Sequence, residues 1–246
     1  MIFVQLISIF FAGVLSGFVG AVAGGGGLFS ISLLLLYGIP PQITLATNKF
    51  GGIGLSIGGL YKFIKEKKIV WKYAIGLSVA GIFSSVIGSK ILLSADPASL
   101  KTLTGVLLLL LVPTIFLKKD FGLENKTTSR NYKIVGYILY FLISIIASFF
   151  GGFGAILISI VVFFFGLPMI EANATELVSF TIFSVASVII FMANGIIDYQ
   201  IGIPLFIGML IGGYLGAHIA VKKGNRWVKA FFSTVVIISA IKVLIG

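Results

Sequence analysis

The first 37 residues carry no charged side chain. Wound as one α-helix they would reach about 55 Å, far beyond the ~30 Å hydrocarbon core of a bilayer. A run of this length has to break, and the sequence holds one obvious place for it. Residues 21–30 read AVAGGGGLFS. Glycine in a helix interior costs about 1 kcal/mol against alanine, and four in a row concentrate that cost at one point. The expectation is a spanning helix over 2–22, a turn at Gly24, Gly25, Gly26 and Gly27, and a short helix over 28–37.

Apolar segments occupy roughly 1–37, 41–61, 70–93, 99–117, 134–166, 170–193, 199–221 and 227–246. Most are continuous over about 20 residues, as spanning helices are, and do not alternate over about 10 as barrel strands do. Apolar residues make up 59% of the chain and charged residues 10%, too few to solvate a globular surface. The fold class is therefore all-α: a polytopic membrane bundle in contact with lipid. With no cysteine and a single histidine, His218, thiolate chemistry and a histidine-rich metal site are excluded, and no cofactor is expected. The opening MIFVQLISIF lacks the basic start of a cleavable leader, so it reads as mature chain.

The formal net charge of +11 sits in three patches between apolar segments: 62–72, 118–133 and 222–229. That is the signature of cytoplasmic loops in a multi-pass protein of the cell membrane, and it argues against nucleic acid as a partner. Sliding the chain along itself until Gly24 falls on Gly152 superposes its halves without a gap. At that one offset Gly26 falls on Gly154, Gly38-Ile39-Pro40 on Gly166-Leu167-Pro168, and Ala46-Thr47 on Ala174-Thr175. The reading is a first repeat over 1–118, a basic linker over 119–133 and a second repeat over 134–246. The basic loop 62–72 has NGIIDYQ as its counterpart, with no basic residue, while 222–229 is basic. The two halves are therefore expected to lie upside down relative to one another. Counting back from a cytoplasmic 62–72 loop, the helix over 28–37 returns to the outside. The second half is expected to break at Gly151–Gly154.

VAGGGGL at 22–28, GIPP at 38–41 and LATNK at 45–49 together resemble the TauE/SafE family of membrane transporters. The resemblance covers the whole chain, with two glycine-marked repeats, a cationic linker and about eight apolar segments. The second glycine motif is reduced to GGFGA, and Ser32 and Ile160 stand where the family often has proline. The resemblance implies a secondary transporter exporting sulfite, a sulfonate or another small sulfur-containing anion.

A helix that starts inside a membrane presents free N–H groups and the positive end of its dipole. Glycine lets a ligand approach that backbone closely. The two half-helices are expected to meet near the midplane and cradle a small oxoanion with Gly24–Gly27, Gly152 and Gly154. The same glycines also suit close helix packing. Lys49 lies about 12 Å into the second segment, at a depth where a charge is a functional hypothesis by default. It is the candidate to hold the anion, with structural pairing or snorkelling as the alternative. Glu176 matches Asn48 in the other half and is a candidate counter-ion or proton carrier. Thr47, Asn48 and Thr175 are candidate uncharged contacts, although threonine often bonds back to its own helix. Glu171 is expected to favour a helix start. No Walker sequence and no nucleophile–base set is present, which leaves an intramembrane enzyme or a non-transporting scaffold as the weaker alternatives. Self-association of copies stays open.

Overall fold

A computed structural model of the chain describes residues 2–96, 122–232 and 234. The segment expected at 99–117, the first three residues of the linker and most of the segment at 227–246 lie outside the described residues. Among the described residues every regular element is helical. In chain order they are α1 (Ile2–Ala23), α2 (Gly27–Leu36), α3 (Pro41–Lys65), α4 (Trp71–Ser94), α5 (Arg130–Ala147), α6 (Gly154–Phe165), α7 (Met169–Ala193) and α8 (Tyr199–Lys223). Another helix starts at residue 225.

The opening run breaks at its glycines. Gly24 takes a φ of 71°, a left-handed conformation that suits a residue without Cβ. α2 then restarts at Gly27. The second half behaves alike with one difference. α5 stops at Ala147, so the unwound stretch is Ser148–Phe153 and begins ahead of the expected glycines. The reason lies in another helix: the Lys49 ammonium takes the Ala147 carbonyl that an unbroken helix would have used itself.

The offset that carries Gly24 onto Gly152 also carries the bounds of α3 onto those of α7. Proline at the N-cap sets both starts, Pro40 for α3 and Pro168 for α7. Glu171 falls in the first turn of α7, as expected. Among the described residues five helices are long and apolar enough to cross a membrane: α1 over Val4–Ala23, α4, α5, α7 and α8. α3 is as long, but Thr47-Asn48-Lys49 interrupts its apolar sequence.

Polarity is distributed inside out. Phe11, Ile75, Phe83, Leu142, Ile189 and Ile203 stand exposed, whereas Lys49, Glu176 and many serines are buried. This is the pattern of a protein whose outer solvent is lipid.

The helices meet along two seams related by the same offset. In the first, α1 and α3 pack on α8 through glycines. A Cβ on Gly17 would strike Met209 O, one on Gly58 Leu210 O, and one on Gly212 Val14 O, so main chain lies against main chain. In the second, α5 and α7 pack on α4. There Gly20, Gly51, Gly59, Gly212 and Gly213 give way to Ser148, Ser179, Ser187, Ser84 and Ser85. Ser144 Oγ donates to Ser84 Oγ at 2.8 Å across this seam.

Candidate functional site

α3 and α7 belong to different halves, and each serves the helix ends of the other half. Thr47 Oγ1 on α3 accepts from the Asp198 N–H at the start of α8, at 3.0 Å. Thr175 Oγ1 on α7 accepts from the Val70 N–H at the start of α4, also at 3.0 Å. These two bonds map onto one another under the repeat. The broken helices are served crosswise too. Lys49 on α3 donates to Ala147 O at the end of α5, at 2.6 Å, and Asn173 Nδ2 on α7 donates to Ala21 O at the end of α1, at 2.5 Å. Each donor fills the need of a carbonyl orphaned by a helix end.

The two breaks touch. A Cβ on Gly154 would strike Gly24 O, and one on Gly27 would lie 2.5 Å from Gly151 O. Beside this contact is a cavity of about 30 Å³, whose walls include Gly26, Gly27, Asn48, Lys49, Gly154 and Glu176. That is space for about two water-sized groups. The starts of α2 and α6 both contribute to it, through Gly27 and Gly154. At the start of α2 the Leu28 and Phe29 N–H groups bond back to Gly25 O and Gly26 O at 3.3 and 3.1 Å. Among the described residues the N–H groups of Gly25, Gly26 and Gly27 have no backbone acceptor.

Lys49 is 1% exposed and Glu176 2%. The Lys49 ammonium lies over the rings of Phe180 and Phe183, 4.5 and 4.6 Å from their centres, while it donates to Ala147 O. Its charge is thus balanced by a helix C-terminus and two ring faces. Lys62 and Glu66 form an ion pair at 2.7 Å on the rim of α3, where the Lys62 hydrogen bond and charge hold the Glu66 carboxyl below its ordinary range. Glu176 Oε1 is buried with no hydrogen-bond partner.

The structure therefore brings Gly24, Gly26, Gly27, Asn48, Lys49, Gly154 and Glu176 to one cavity wall. Gly25 is buried in the turn behind it. Gly152 packs against Leu28 and Phe150, away from the wall. Thr47 and Thr175 hold helix starts instead. Asn48 Oδ1 accepts from Ser30 Oγ at 2.5 Å, which ties α2 to α3. Sequence reasoning missed Phe180 and Phe183 against the Lys49 ammonium, Asn173 at the end of α1, and Ser16, which also lines the cavity. Phe180 and Phe183 follow Glu176 at the fourth and seventh positions, on its face of α7, but 23 phenylalanines hide that spacing.

Spanning and half-length helices gathered around buried charges define a polytopic membrane protein with an intramembrane site. The chain belongs to the family described as Sulfite exporter TauE/SafE, whose model it matches over residues 9–243. It is 28% identical over 230 residues to a probable membrane transporter protein of Haemophilus influenzae, covering 92% of this chain and 89% of that one. It is 25% identical over 239 residues to the probable membrane transporter protein YfcA of Escherichia coli K12, covering 95% and 86%. It is 29% identical over 220 residues to the probable membrane transporter protein YdhB of Bacillus subtilis, covering 86% and 87%. No solved structure matches it. Fold and family together make the chain a multi-pass membrane transporter.

Proposed function

We propose that the protein is a secondary transporter of a small oxoanion, such as sulfite or a sulfonate, and that the cavity between the two glycine breaks is its substrate site. The observation that carries this reading is the convergence on one small cavity of two half-helix starts and the buried Lys49. Free amides and a fixed positive charge in a medium of low dielectric favour an anion with several acceptor oxygens. Access alternates as one repeat rocks against the other, with Asn48 orienting the ligand and Lys49 holding it. Thr47 and Thr175 act at the repeat interface, and Gly25 and Gly152 let the turns approach. The inside-negative membrane potential favours the exit of each uncompensated negative charge by about 2.3 kcal/mol per 100 mV.

The two repeats lie in opposite orientations, with 62–72, 118–133 and 222–229 in the cytoplasm. Reporter tags at Lys65 and Asn225 are expected to read cytoplasm, and those at Asp96 and Ile197 outside. Any exchange between these pairs contradicts the inverted arrangement. For the substrate, vesicles holding the purified protein are expected to release loaded sulfite or methanesulfonate faster than empty vesicles. Lys49→Met, which keeps most of the side-chain volume, is expected to slow that release about 100-fold while the protein stays folded. Release unchanged by Lys49→Met removes Lys49 from the site.

A further inference from the structure

Glu176, on the cavity wall, belongs to a buried polar cluster that has no counterpart in the other half. Glu176 Oε1, Tyr140 Oη and Ser179 Oγ are all buried; none has a hydrogen-bond partner within 3.5 Å, and Ser179 comes nearest to being one for Tyr140. Tyr140, from α5, faces both Glu176 and Ser179. Gly81 of α4 lies beside Ser179 Oγ and leaves room there, since a side chain would press on Phe183. The repeat-related positions in the first half are Asn48, Ala12 and Gly51. There Asn48 is satisfied by Ser30 Oγ, and Gly51 is closed over by Leu205 and Met209. Three buried oxygens around one spot with no close partner are a costly arrangement when dry, and they match the two to four partners that a buried water requires.

Resting on the transporter reading above, we propose that Glu176, Tyr140 and Ser179 form a proton site, occupied by a bound water and opening on the cavity, so that the anion moves together with a proton. On protonation the Glu176 carboxyl gains one O–H donor, and the negative charge that opposes an incoming anion is removed. When the proton leaves through the water, the carboxylate returns and expels the anion. The titratable groups facing Glu176 are Lys49 from α3 and Tyr140 from α5. α1 and α6 contain none, and Lys72 and Lys90 of α4 are exposed. A metal cation is disfavoured, because the Lys49 charge already acts on Glu176 and a single carboxylate is present.

Infrared titration of the purified protein in nanodiscs tests the site without any anion. The Glu176 carboxyl band is the one that disappears in Glu176→Gln. Tyr140→Phe and Ser179→Ala are each expected to move its titration midpoint by about one pH unit. Ser56→Ala is the matched control, because Ser56 is the repeat counterpart of Ser184 and bonds its own helix at Gly52 O. A band that no pH within the folded range titrates, or one that Tyr140→Phe and Ser179→Ala leave in place, overturns the proton site. Coupling is read in vesicles with a trapped pH dye and methanesulfonate, whose charge is independent of pH. A proton flux that accompanies methanesulfonate and is lost in Glu176→Gln supports the proposal. Methanesulfonate flux with no proton flux, or driven by a sodium gradient, overturns it. Absence of any anion flux counts against the transporter reading, and the infrared titration then decides the proton site by itself.

Discussion

The glycine seam of α1, α3 and α8 and the serine seam of α4, α5 and α7 are one architecture used twice, filled each time with different chemistry. In the first, glycine brings carbonyl against Cα, and stability comes from dispersion and close backbone approach. In the second, each serine Oγ needs a partner. Ser84 and Ser144 find one in each other, while Ser89, Ser184 and Ser187 find none. An unpaired buried hydroxyl costs about 1–3 kcal/mol, so evolution tolerates it where water or motion has a use. The lesson is that a repeat can keep its helix bounds while its two copies pack through different chemistry.

Exchanging residues between the seams breaks this comparison most strongly. Gly212→Ser puts a Cβ onto Val14 O and is expected to cost about 3 kcal/mol or more, read as a large fall in melting temperature in detergent. The reverse change at the related position, Ser84→Gly, loses the bond to Ser144 and is expected to cost about 1 kcal/mol. Equal losses from the two would mean that the seams do not differ in tightness. Next in size is Lys49→Met, which leaves Ala147 O without its donor and is expected to cost about 2 kcal/mol beyond its effect on transport. Thr47→Val and Thr175→Val each remove a helix-start acceptor and are expected to cost about 1 kcal/mol apiece. Because the two bonds are related by the repeat, their losses should agree within about 0.5 kcal/mol and add in the double variant. A loss confined to one of them would show that the halves share sequence without sharing mechanics. Smallest is Ser56→Ala, whose hydroxyl already bonds its own helix, with a change expected within about 0.5 kcal/mol.

Much of this was legible in the sequence, because it followed from lengths. The uncharged opening run exceeds a membrane, and Gly24–Gly27 are the weakest point in it. The match of Gly24, Pro40 and Thr47 with Gly152, Pro168 and Thr175 then carries the break into the second half. The depth of Lys49 and the pairing of Glu176 with Asn48 could be counted from helical rise and the repeat offset. What the sequence concealed depends on contacts between distant helices. Nothing local announces that Thr47 answers Asp198, or that the end of α5 is fixed at Ala147 by a lysine far earlier in the chain. Nor does composition separate Phe180 and Phe183, which hold a charge, from phenylalanines that face lipid.

The central claim is that two broken helices and Lys49 build one oxoanion site. Thermal unfolding of the purified protein with increasing sulfite, sulfate, methanesulfonate and acetate tests it most directly, since a ligand that binds only the folded state raises the melting temperature by mass action. The account predicts a saturable rise with at least one sulfur oxoanion, absent in Lys49→Met and retained in Ser56→Ala. A melting temperature indifferent to every anion, or a rise that survives Lys49→Met unchanged, would contradict it.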